Sequence, residues 1–268
     1  QLLEEHPIHY GSPMMMPPNR IRNGAFRYKE RDYQFAINTP AGHHIHGLIR
    51  NLPWQVTNTQ QDDSTCSITT TLLLTDFPEV QLQYPHSVRL ESTYTLNNST
   101  LTMSLSAHNA GDVAAPFGFG MHTWFCLDGK SESWNFQLPA AEIWELDEML
   151  MPTERRIPID NYGELAQGLS LKNVNLDTVF QIGPHVRQAV LTQEGYEISY
   201  SASDLFKQWV IYTMGEAKEF ICLEPYTWVT NAPNLQEDPE ITGFRAIEPG
   251  STLEMEIVLE IKRGAIEN

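Results

Sequence analysis

The sequence predicts an all-β protein, and three observations lead to that fold class. Period-two alternation of apolar and polar residues recurs along the 268-residue chain, whereas helical periodicity is weak throughout. The 17 prolines and 16 glycines fall mostly between the alternating segments, where turns are expected. Many short strands without intervening helices predict a large β-sandwich. Since no linker or repeat divides the chain, we expect one domain over residues 1–268.

Two alternating segments give the strongest strand predictions. Apolar residues alternate with polar ones on both sides of Asn97-Asn98-Ser99-Thr100, which predicts a hairpin with one buried face. Residues 252–261 alternate in the same way, which is typical of a half-buried antiparallel strand. Five further strands are predicted, at residues 66–74, 134–138, 196–201, 209–212 and 220–223.

The charge balance limits the classes of partner. The chain carries 34 acidic and 17 basic residues, for a formal net charge of −17. Such a surface repels phosphate backbones and anionic lipid headgroups, so we expect neither nucleic acid nor a membrane as a partner. No apolar run has transmembrane length, and the opening QLLEEHPIHYG lacks the features of a signal peptide. The expected location is therefore the cytoplasm.

The chain has three cysteines, Cys66, Cys126 and Cys222, which are far apart and match no metal or disulfide spacing. Each lies among apolar or β-prone residues. We therefore expect three reduced, buried thiols.

Two basic segments occupy positions where a β-sandwich would normally place apolar residues. Arg20 and Arg22, beside Asn19, offer guanidinium donors suited to hydroxyl or carboxylate groups, although an exposed strand end with solvated arginines is the simpler explanation. The segment His43-His44-Ile45-His46 suggests zinc, but no further ligands follow at metal spacing. We expect no metal there, and one polar pocket histidine among surface neighbours.

One histidine and two acidic residues also lie in segments that are otherwise apolar. His122 lies in an apolar and aromatic stretch that can move its pKa across neutrality, although a core histidine bonded to a backbone carbonyl fits the pattern as well. Asp177 begins an apolar strand, where turn capping is the ordinary explanation. Glu224 ends a buried apolar strand, and a buried carboxylate needs a partner or a raised pKa. His122 and Glu224 could form an acid–base pair, but periodicity does not show that they meet.

Taken in order, these segments resemble the aldose 1-epimerase, or galactose mutarotase, superfamily. The resemblance extends from about Gly11 to the last strand and rests on Asn19-Arg20-Ile21, His46-Gly47 with Arg50 and Trp54, His122-Thr123-Trp124-Phe125, Leu176-Asp177, Ile221-Cys222-Leu223-Glu224-Pro225 with Asn231-Ala232, Gly243-Phe244-Arg245 and Pro249-Gly250. It implies a twisted antiparallel β-sandwich of the galactose mutarotase type, with a sugar site in a cleft on a concave sheet. We expect the family's first strands, which usually precede the Asn-Arg-Ile segment, to be missing from this chain.

The resemblance also implies a reaction, the interconversion of the α and β anomers of a free hexose. His122 would be the general acid that protonates the ring oxygen, and Glu224 the general base that takes the proton from the C1 hydroxyl. The ring would open, the C1–C2 bond would rotate, and the ring would close on the other face of the aldehyde.

The same resemblance identifies the residues that would bind the sugar as Arg20, His46, Asp177, Asn19 and Trp124. The aromatic residues that could cover a sugar face are Trp124, Phe244 and Tyr226. The family usually has tyrosine where this chain has Trp124. The implied partner is a small-molecule sugar, with no metal or organic cofactor, and we expect a monomer or a homodimer.

Other functions remain open at this point. A hexose-6-phosphate 1-epimerase, or one for another anionic hexose, would need arginines at the C6 end of the cleft, for which Arg22, Arg50 and Arg245 are the candidates. A non-catalytic carbohydrate-binding module on the same fold would bind sugar without exchanging its anomers. A structural interaction domain would leave Glu224 unexplained.

Overall fold

A computed structural model describes residues 11–128, 130–159, 164–183, 188–213 and 219–263. In chain order, the strands of the first half are β1 (Met14–Met15), β2 (Arg20–Ile21), β3 (Ala25–Tyr28), β4 (Arg31–Gln34), β5 (His44–Ile45), β6 (Gln55–Gln61), β7 (Thr65–Leu73), β8 (Val88–Asn97), β9 (Thr100–Asn109), β10 (Ala115–Pro116), β11 (Gly120–Met121) and β12 (Thr123–Cys126). Those of the second half are β13 (Asn135–Gln137), β14 (Ala140–Leu146), β15 (Pro152–Pro158), β16 (Leu169–Ser170), β17 (Asp177–Ile182), β18 (Gln188–Gln193), β19 (Tyr196–Ala202), β20 (Gln208–Thr213), β21 (Phe220–Tyr226), β22 (Ala246–Ile247) and β23 (Thr252–Arg263).

The helices in these ranges are short. Two are α-helical, α1 (Pro78–Gln81) and α2 (Pro239–Thr242). Single 3-10 turns occur at Arg22–Gly24, Leu74–Asp76, Ser131–Ser133, Leu171–Asn173 and Ala232–Asn234. Within the described ranges, no helix has both the length and the apolar character that crossing a bilayer requires.

The strands form two large antiparallel sheets, which confirms the predicted all-β sandwich. The first sheet has eight strands in the order β1-β11-β21-β20-β17-β14-β15, with β12 also paired to β21. The second has nine strands in the order β16-β13-β18-β19-β23-β9-β8-β7-β6. Three two-stranded pairs, β10 with β22, β2 with β5 and β3 with β4, lie outside these sheets.

The two large sheets pack against each other through aromatic side chains. The ring of Tyr200 in β19 lies 5.7 Å from that of Trp209 in β20 and 5.5 Å from that of Phe125 in β12, both nearly edge to face. The hydroxyl groups of Tyr200 and Thr123 are 2.7 Å apart. Such aromatic pairs add about 0.5–1.5 kcal/mol each beyond the burial of their area. Because strand side chains alternate, the neighbours of Thr123, Phe125 and Trp209 lie on the opposite face of the eight-stranded sheet.

The strand predictions are confirmed, but most boundaries differ by one or two residues and the end of β21 differs by three. β8 and β9 form the predicted hairpin, and Asn98 in its turn has a positive φ of 51°, which asparagine tolerates. The other predicted strands correspond to β7, β13, β19, β20, β21 and β23. β21 continues past the predicted end because Tyr226 still pairs with both Gln208 and Gly120. Glu224 therefore lies within a strand and does not end it.

The prediction of three buried thiols is wrong for two of them. Cys222 is buried in β21, but Cys66 and Cys126 are exposed. The thiol of Cys126, at the end of β12, donates to a carboxylate oxygen of Asp128 at 3.2 Å. Apolar and β-prone neighbours indicate a strand, but they do not determine which face a given side chain occupies.

Candidate active site

The register of the eight-stranded sheet brings distant residues together on the face that points away from the second sheet. Asp177 of β17 lies opposite Tyr212 of β20, and Tyr212 lies opposite Cys222 of β21. In the next row on the same face, Val210 of β20 lies opposite Glu224. Directly opposed residues on antiparallel strands are about 4.5–5.5 Å apart. Three strands thus place a thiol, a phenol and two carboxylic acids next to one another.

This face forms one wall of a cleft of about 320 Å³. That volume is within the range of about 300–1,000 Å³ found for small-molecule sites. The lining residues are Asn19, Arg20, Ile45, His46, His122, Asp177, Val210, Tyr212 and Glu224. Most of them are polar, and they are referred to below as the polar cleft.

The second wall begins with Arg20, whose backbone is held from two sides. Arg20 pairs with Ile45 between β2 and β5, and its carbonyl accepts the N–H of Asn231 at 2.8 Å. The side-chain oxygen of Asn231 in turn accepts the N–H of Arg22 at 2.9 Å. Asn231 has a φ of 61°, a left-handed conformation that suits asparagine. The guanidinium of Arg20 therefore extends into the polar cleft from a fixed strand.

His46 is positioned by a tight turn directly after β5. Its N–H donates to the carbonyl of Asn19 at 3.0 Å, and both His46 and Gly47 have positive φ, 64° and 67°. A Cβ atom on Gly47 would lie 2.5 Å from backbone atoms of Met16. Only glycine fits so close to another backbone. Sterics thus explain why a glycine follows His46 in the sequence.

His122 and Glu224 meet inside the polar cleft. Nε2 of His122 lies 3.2 Å from Oε1 of Glu224, and the two side chains are 14% and 3% exposed. The ring of Trp124 stacks on that of His122, with centroids 5.2 Å apart and planes 14° from parallel. The ring of His46 meets the same imidazole edge on at 5.2 Å. The imidazole is therefore packed between two rings while it faces a carboxyl group.

The other oxygen of Glu224 is also bonded. The hydroxyl of Tyr226, which is fully buried, donates to Oε2. A Cβ atom on Gly120 would lie 2.3 Å from the tyrosine ring, so a glycine is required opposite it. With one oxygen held by Tyr226 and the other beside His122, Glu224 has a fixed orientation.

Burial changes the proton affinity of the pair in opposite directions. It raises the pKa of Glu224 to about 8, an effect to which Asp177 adds and which Tyr226 and Arg20 oppose. It lowers the pKa of His122 to about 4, with a further contribution from the charge of Arg50. Between these two values the pair holds one exchangeable proton. Such a pair can give a proton to one atom of a ligand and take one from another.

Two further groups of the polar cleft have shifted pKa values. Burial lowers the pKa of His46 far below its usual range, so this imidazole is neutral near pH 7. Desolvation raises the pKa of Asp177 although its side chain reaches solvent, and the charge of Arg20 opposes the rise. The cleft therefore combines one guanidinium with imidazole and carboxyl groups that are uncharged or can become uncharged.

Six of the seven residues expected to form the site line the polar cleft: Asn19, Arg20, His46, His122, Asp177 and Glu224. The seventh, Trp124, contacts it through the stack on His122. Arg20 is therefore not a solvated arginine at an exposed strand end, and His122 faces a cleft and is not a core histidine. The side chain of Arg22 lies outside the cleft and is 39% exposed.

The expectation of surface histidines beside His46 is wrong. His43 and His44 are 2% and 3% exposed. Nδ1 of His43 accepts the N–H of Asn23 at 3.1 Å, and Nδ1 of His44 lies 2.7 Å from the carbonyl oxygen of Ala36. Both side chains therefore belong to the interior.

Two of the aromatic residues expected to cover a sugar face do not lie in the cleft. Tyr226 is buried beneath Glu224. Phe244 stacks on Trp228, with ring centroids 5.6 Å apart. The aromatic residue that does line the cleft, Tyr212, was not expected. Tyr212 and Val210 are two residues apart in β20, so they lie on the same face of the strand. The sheet register that directs this face to the cleft is not contained in the local sequence.

None of the three arginines considered for an anionic group lines the polar cleft among the described residues. Arg22 forms an ion pair with Asp147 at 2.9 Å. Arg245 is close enough to Glu240 for their charges to interact. The charge of Arg50 affects His46 and His122, but its side chain is exposed.

Comparison with known proteins gives a family match over nearly the whole chain. The sequence profile of the aldose 1-epimerase family matches residues 2–260. The chain is 29% identical over 239 residues to the uncharacterized protein YihR of Escherichia coli, which covers 86% of this chain and 74% of YihR. It is 26% identical over 262 residues to the uncharacterized protein YphB of the same organism, covering 93% of this chain and 83% of YphB.

Solved structures share the fold. A galactose mutarotase-like protein from Clostridium acetobutylicum superposes with a TM-score of 0.91 at 22% identity, covering 98% of this chain and 82% of the other. The galactose 1-epimerase of Lactobacillus acidophilus gives a TM-score of 0.75 at 19% identity, covering 92% and 78%. The predicted β-sandwich of the galactose mutarotase type is thus confirmed.

Proposed function

The chain belongs to the aldose 1-epimerase family, and from this premise we propose that it interconverts the α and β anomers of a free hexose. The observation that carries the proposal is the 3.2 Å approach of His122 to Glu224 within the polar cleft. A buried acid–base pair with one exchangeable proton supplies what hemiacetal opening requires.

The reaction needs two proton transfers with the sugar in each direction. The proton of the pair first passes from Glu224 to His122, whose facing atoms lie 3.2 Å apart. Glu224 then takes the proton from the C1 hydroxyl while His122 gives its own to the ring oxygen. The C1–O5 bond then breaks and an aldehyde forms at C1. After rotation about the C1–C2 bond, the C5 hydroxyl attacks the other face of the aldehyde, and the two residues return the protons in the reverse sense. A positioned acid or base contributes about 10²–10⁴-fold to such a rate.

The remaining cleft residues bind and orient the sugar. Arg20 and the amide of Asn19 offer hydrogen-bond donors to hydroxyl oxygens, and Arg20 already donates to Oδ1 of Asn19 at 3.1 Å. The carboxyl of Asp177 accepts from hydroxyl groups. A neutral His46 can donate or accept, depending on its tautomer. Trp124 holds the plane of the His122 ring by stacking on it.

The charges of the polar cleft favour a neutral sugar over an anionic one. Its described lining has one guanidinium, that of Arg20, and two carboxyl groups, those of Asp177 and Glu224. A phosphate placed there would meet like charges from both acids once they ionise. Arg22 and Arg245 already interact with acidic residues.

Saturation-transfer NMR of anomer exchange tests this proposal. We expect faster exchange for at least one of glucose, galactose and xylose, and none for glucose 6-phosphate or a sulfonated hexose. Glu224→Gln should remove the acceleration while binding persists, because it removes the base at nearly constant volume, and His122→Asn should act similarly. Glu254→Gln, at an exposed position of β23, is the matched control and should exchange at the wild-type rate.

Exchange of an anionic hexose alone would assign the chain to that branch of the family and implicate Arg50. Sugar binding without exchange would make it a carbohydrate-binding module. Full activity of Glu224→Gln would exclude the proposed acid–base pair.

A further inference from the structure

We infer that His122, Cys222 and Glu224 together form a binding site for a thiophilic divalent cation, with Zn²⁺ as the best fit, and that the bound cation blocks the polar cleft. One ligand atom from each side chain, a ring nitrogen, the thiol sulfur and a carboxylate oxygen, lies within 4.8 Å of the other two. The binding site depends only on this geometry. Its effect on activity rests on the proposed function.

Cys222 is the member of this group that the proposed reaction does not use. It is fully buried, two residues before Glu224 on the same face of β21. The strand neighbour on that face is Trp124, whose ring stacks on His122. β21 therefore supplies two of the ligand atoms, and His122 supplies the third from between β11 and β12, which both pair with β21.

The spacing is close to that of a tetrahedral zinc site. Bond lengths of about 2.0–2.3 Å require ligand atoms roughly 3.3–3.8 Å apart. Nε2 of His122 and Oε1 of Glu224 are already 3.2 Å apart. The sulfur of Cys222 lies within 4.8 Å of the other ligand atoms, so an approach of about 1 Å brings it to the same spacing. Three protein ligands with a fourth position open to the cleft is a common arrangement for zinc.

The donor set selects the kind of cation. A thiolate with an imidazole and one carboxylate suits Zn²⁺, whereas Mg²⁺ and Ca²⁺ prefer oxygen ligands alone. One thiolate and one carboxylate would neutralise the two positive charges. A cation also compensates for the unfavourable burial of these anionic forms.

Two of the three ligands are oriented by neighbouring side chains. Tyr226 donates to the carboxylate oxygen of Glu224 that does not face His122. Trp124 fixes the plane of the imidazole. Hydrogen-bonded partners that orient metal ligands, as Tyr226 orients Glu224, typically contribute about 10–100-fold to metal affinity.

Binding of Co²⁺ tests the site with a readout that does not depend on activity. We expect the full chain to develop a thiolate-to-cobalt charge-transfer absorption that saturates at one equivalent and is abolished by Zn²⁺ but not by Mg²⁺. Cys222→Ser should lose this absorption and bind Zn²⁺ more than about tenfold more weakly in calorimetry. Cys66→Ser and Cys126→Ser, at exposed thiols, are matched controls and should retain both.

Glu224→Gln offers a second variant if Cys222→Ser fails to fold, and it should weaken Zn²⁺ binding while leaving the thiol in place. An absorption that persists in Cys222→Ser, or that disappears in Cys66→Ser or Cys126→Ser, would place the cation elsewhere and overturn the inference. Equal displacement by Mg²⁺ would overturn it as well.

The effect on activity is measured separately. Zn²⁺ should slow anomer exchange in the wild type and in Cys66→Ser, the sugar should compete with it, and a chelator should restore the rate. If the chain binds Co²⁺ through Cys222 but exchanges no anomers, the site stands and the proposed function fails. If Zn²⁺ saturates the chain and anomer exchange is unchanged, the bound cation does not block the polar cleft.

Discussion

Tyr226 donates its hydroxyl to the carboxyl group of Glu224, two residues earlier on the same face of β21. Both residues are buried. The bond favours the ionised carboxylate and lowers its pKa, whereas burial and the charge of Asp177 raise it. The pKa of Glu224 therefore results from opposing effects of its neighbours, and each neighbouring residue can be substituted separately.

The pH dependence of exchange should be bell-shaped. Below about 4, His122 becomes protonated as well, so the pair holds two protons and lacks a base. Above about 8, the pair has lost its proton and lacks an acid. The measurement is kcat/KM against pH with the spontaneous rate subtracted. A rate that continues to rise above pH 8 would contradict a pair that shares one proton.

Tyr226→Phe should move the alkaline limb of this profile to higher pH. The substitution removes a hydrogen bond that lowers the pKa of Glu224, so that pKa rises. Tyr94→Phe, which also removes a mostly buried phenol hydroxyl but lies in β8, is the control and should leave the limb in place. A lower kcat with an unmoved limb would indicate that Tyr226 acts through packing alone.

Asp177→Asn should move the same limb in the opposite direction. The charge of Asp177 raises the pKa of Glu224, so its removal lowers that pKa and the activity falls at lower pH. KM should also rise, because Asp177 lines the cleft and accepts from sugar hydroxyls in the proposed function. The exposed Asp76→Asn serves as the control. A shift of the alkaline limb to higher pH would show that the charge of Asp177 does not raise the pKa of Glu224.

Gly47→Ala should destabilise the fold by more than about 2 kcal/mol, since it combines a left-handed backbone with a clash. The added Cβ would lie 2.5 Å from the backbone of Met16. Gly42→Ala separates the two effects, because Gly42 has a φ of 79° but no atom within 4 Å of the added Cβ. Its expected cost is about 1 kcal/mol. Urea unfolding measures both, and equal costs would show that the contact with Met16 adjusts freely.

The sequence predicted strands well where one face is buried and the other is solvated. The hairpin of β8 and β9 and the long strand β23 alternate in that way, so their period is visible locally. β21 gives no such alternation because all seven of its residues are buried. Its end at Tyr226 depends on pairing with Gln208 and Gly120, which are far away in sequence.

The candidate site was predictable to the extent that its residues have unusual local surroundings. Glu224 and His122 are ionisable groups in apolar segments, so burial cost alone draws attention to them. Tyr212 and Cys222 are ordinary strand residues by composition. They join the site only through the register of β17, β20 and β21. That register is a property of the whole sheet, and no window of sequence contains it.

The polar cleft takes its residues from segments that span most of the chain, from Asn19 to Glu224. The β1 strand, at the beginning of the described chain, pairs with β11 at the edge of the same sheet. During folding, the site forms only when β17, β20 and β21 have paired, because this pairing brings its residues together, and contacts of such large sequence separation form slowly. Recovery of sugar binding after denaturation therefore reports the final assembly of the sheet and follows any signal that local hairpins produce.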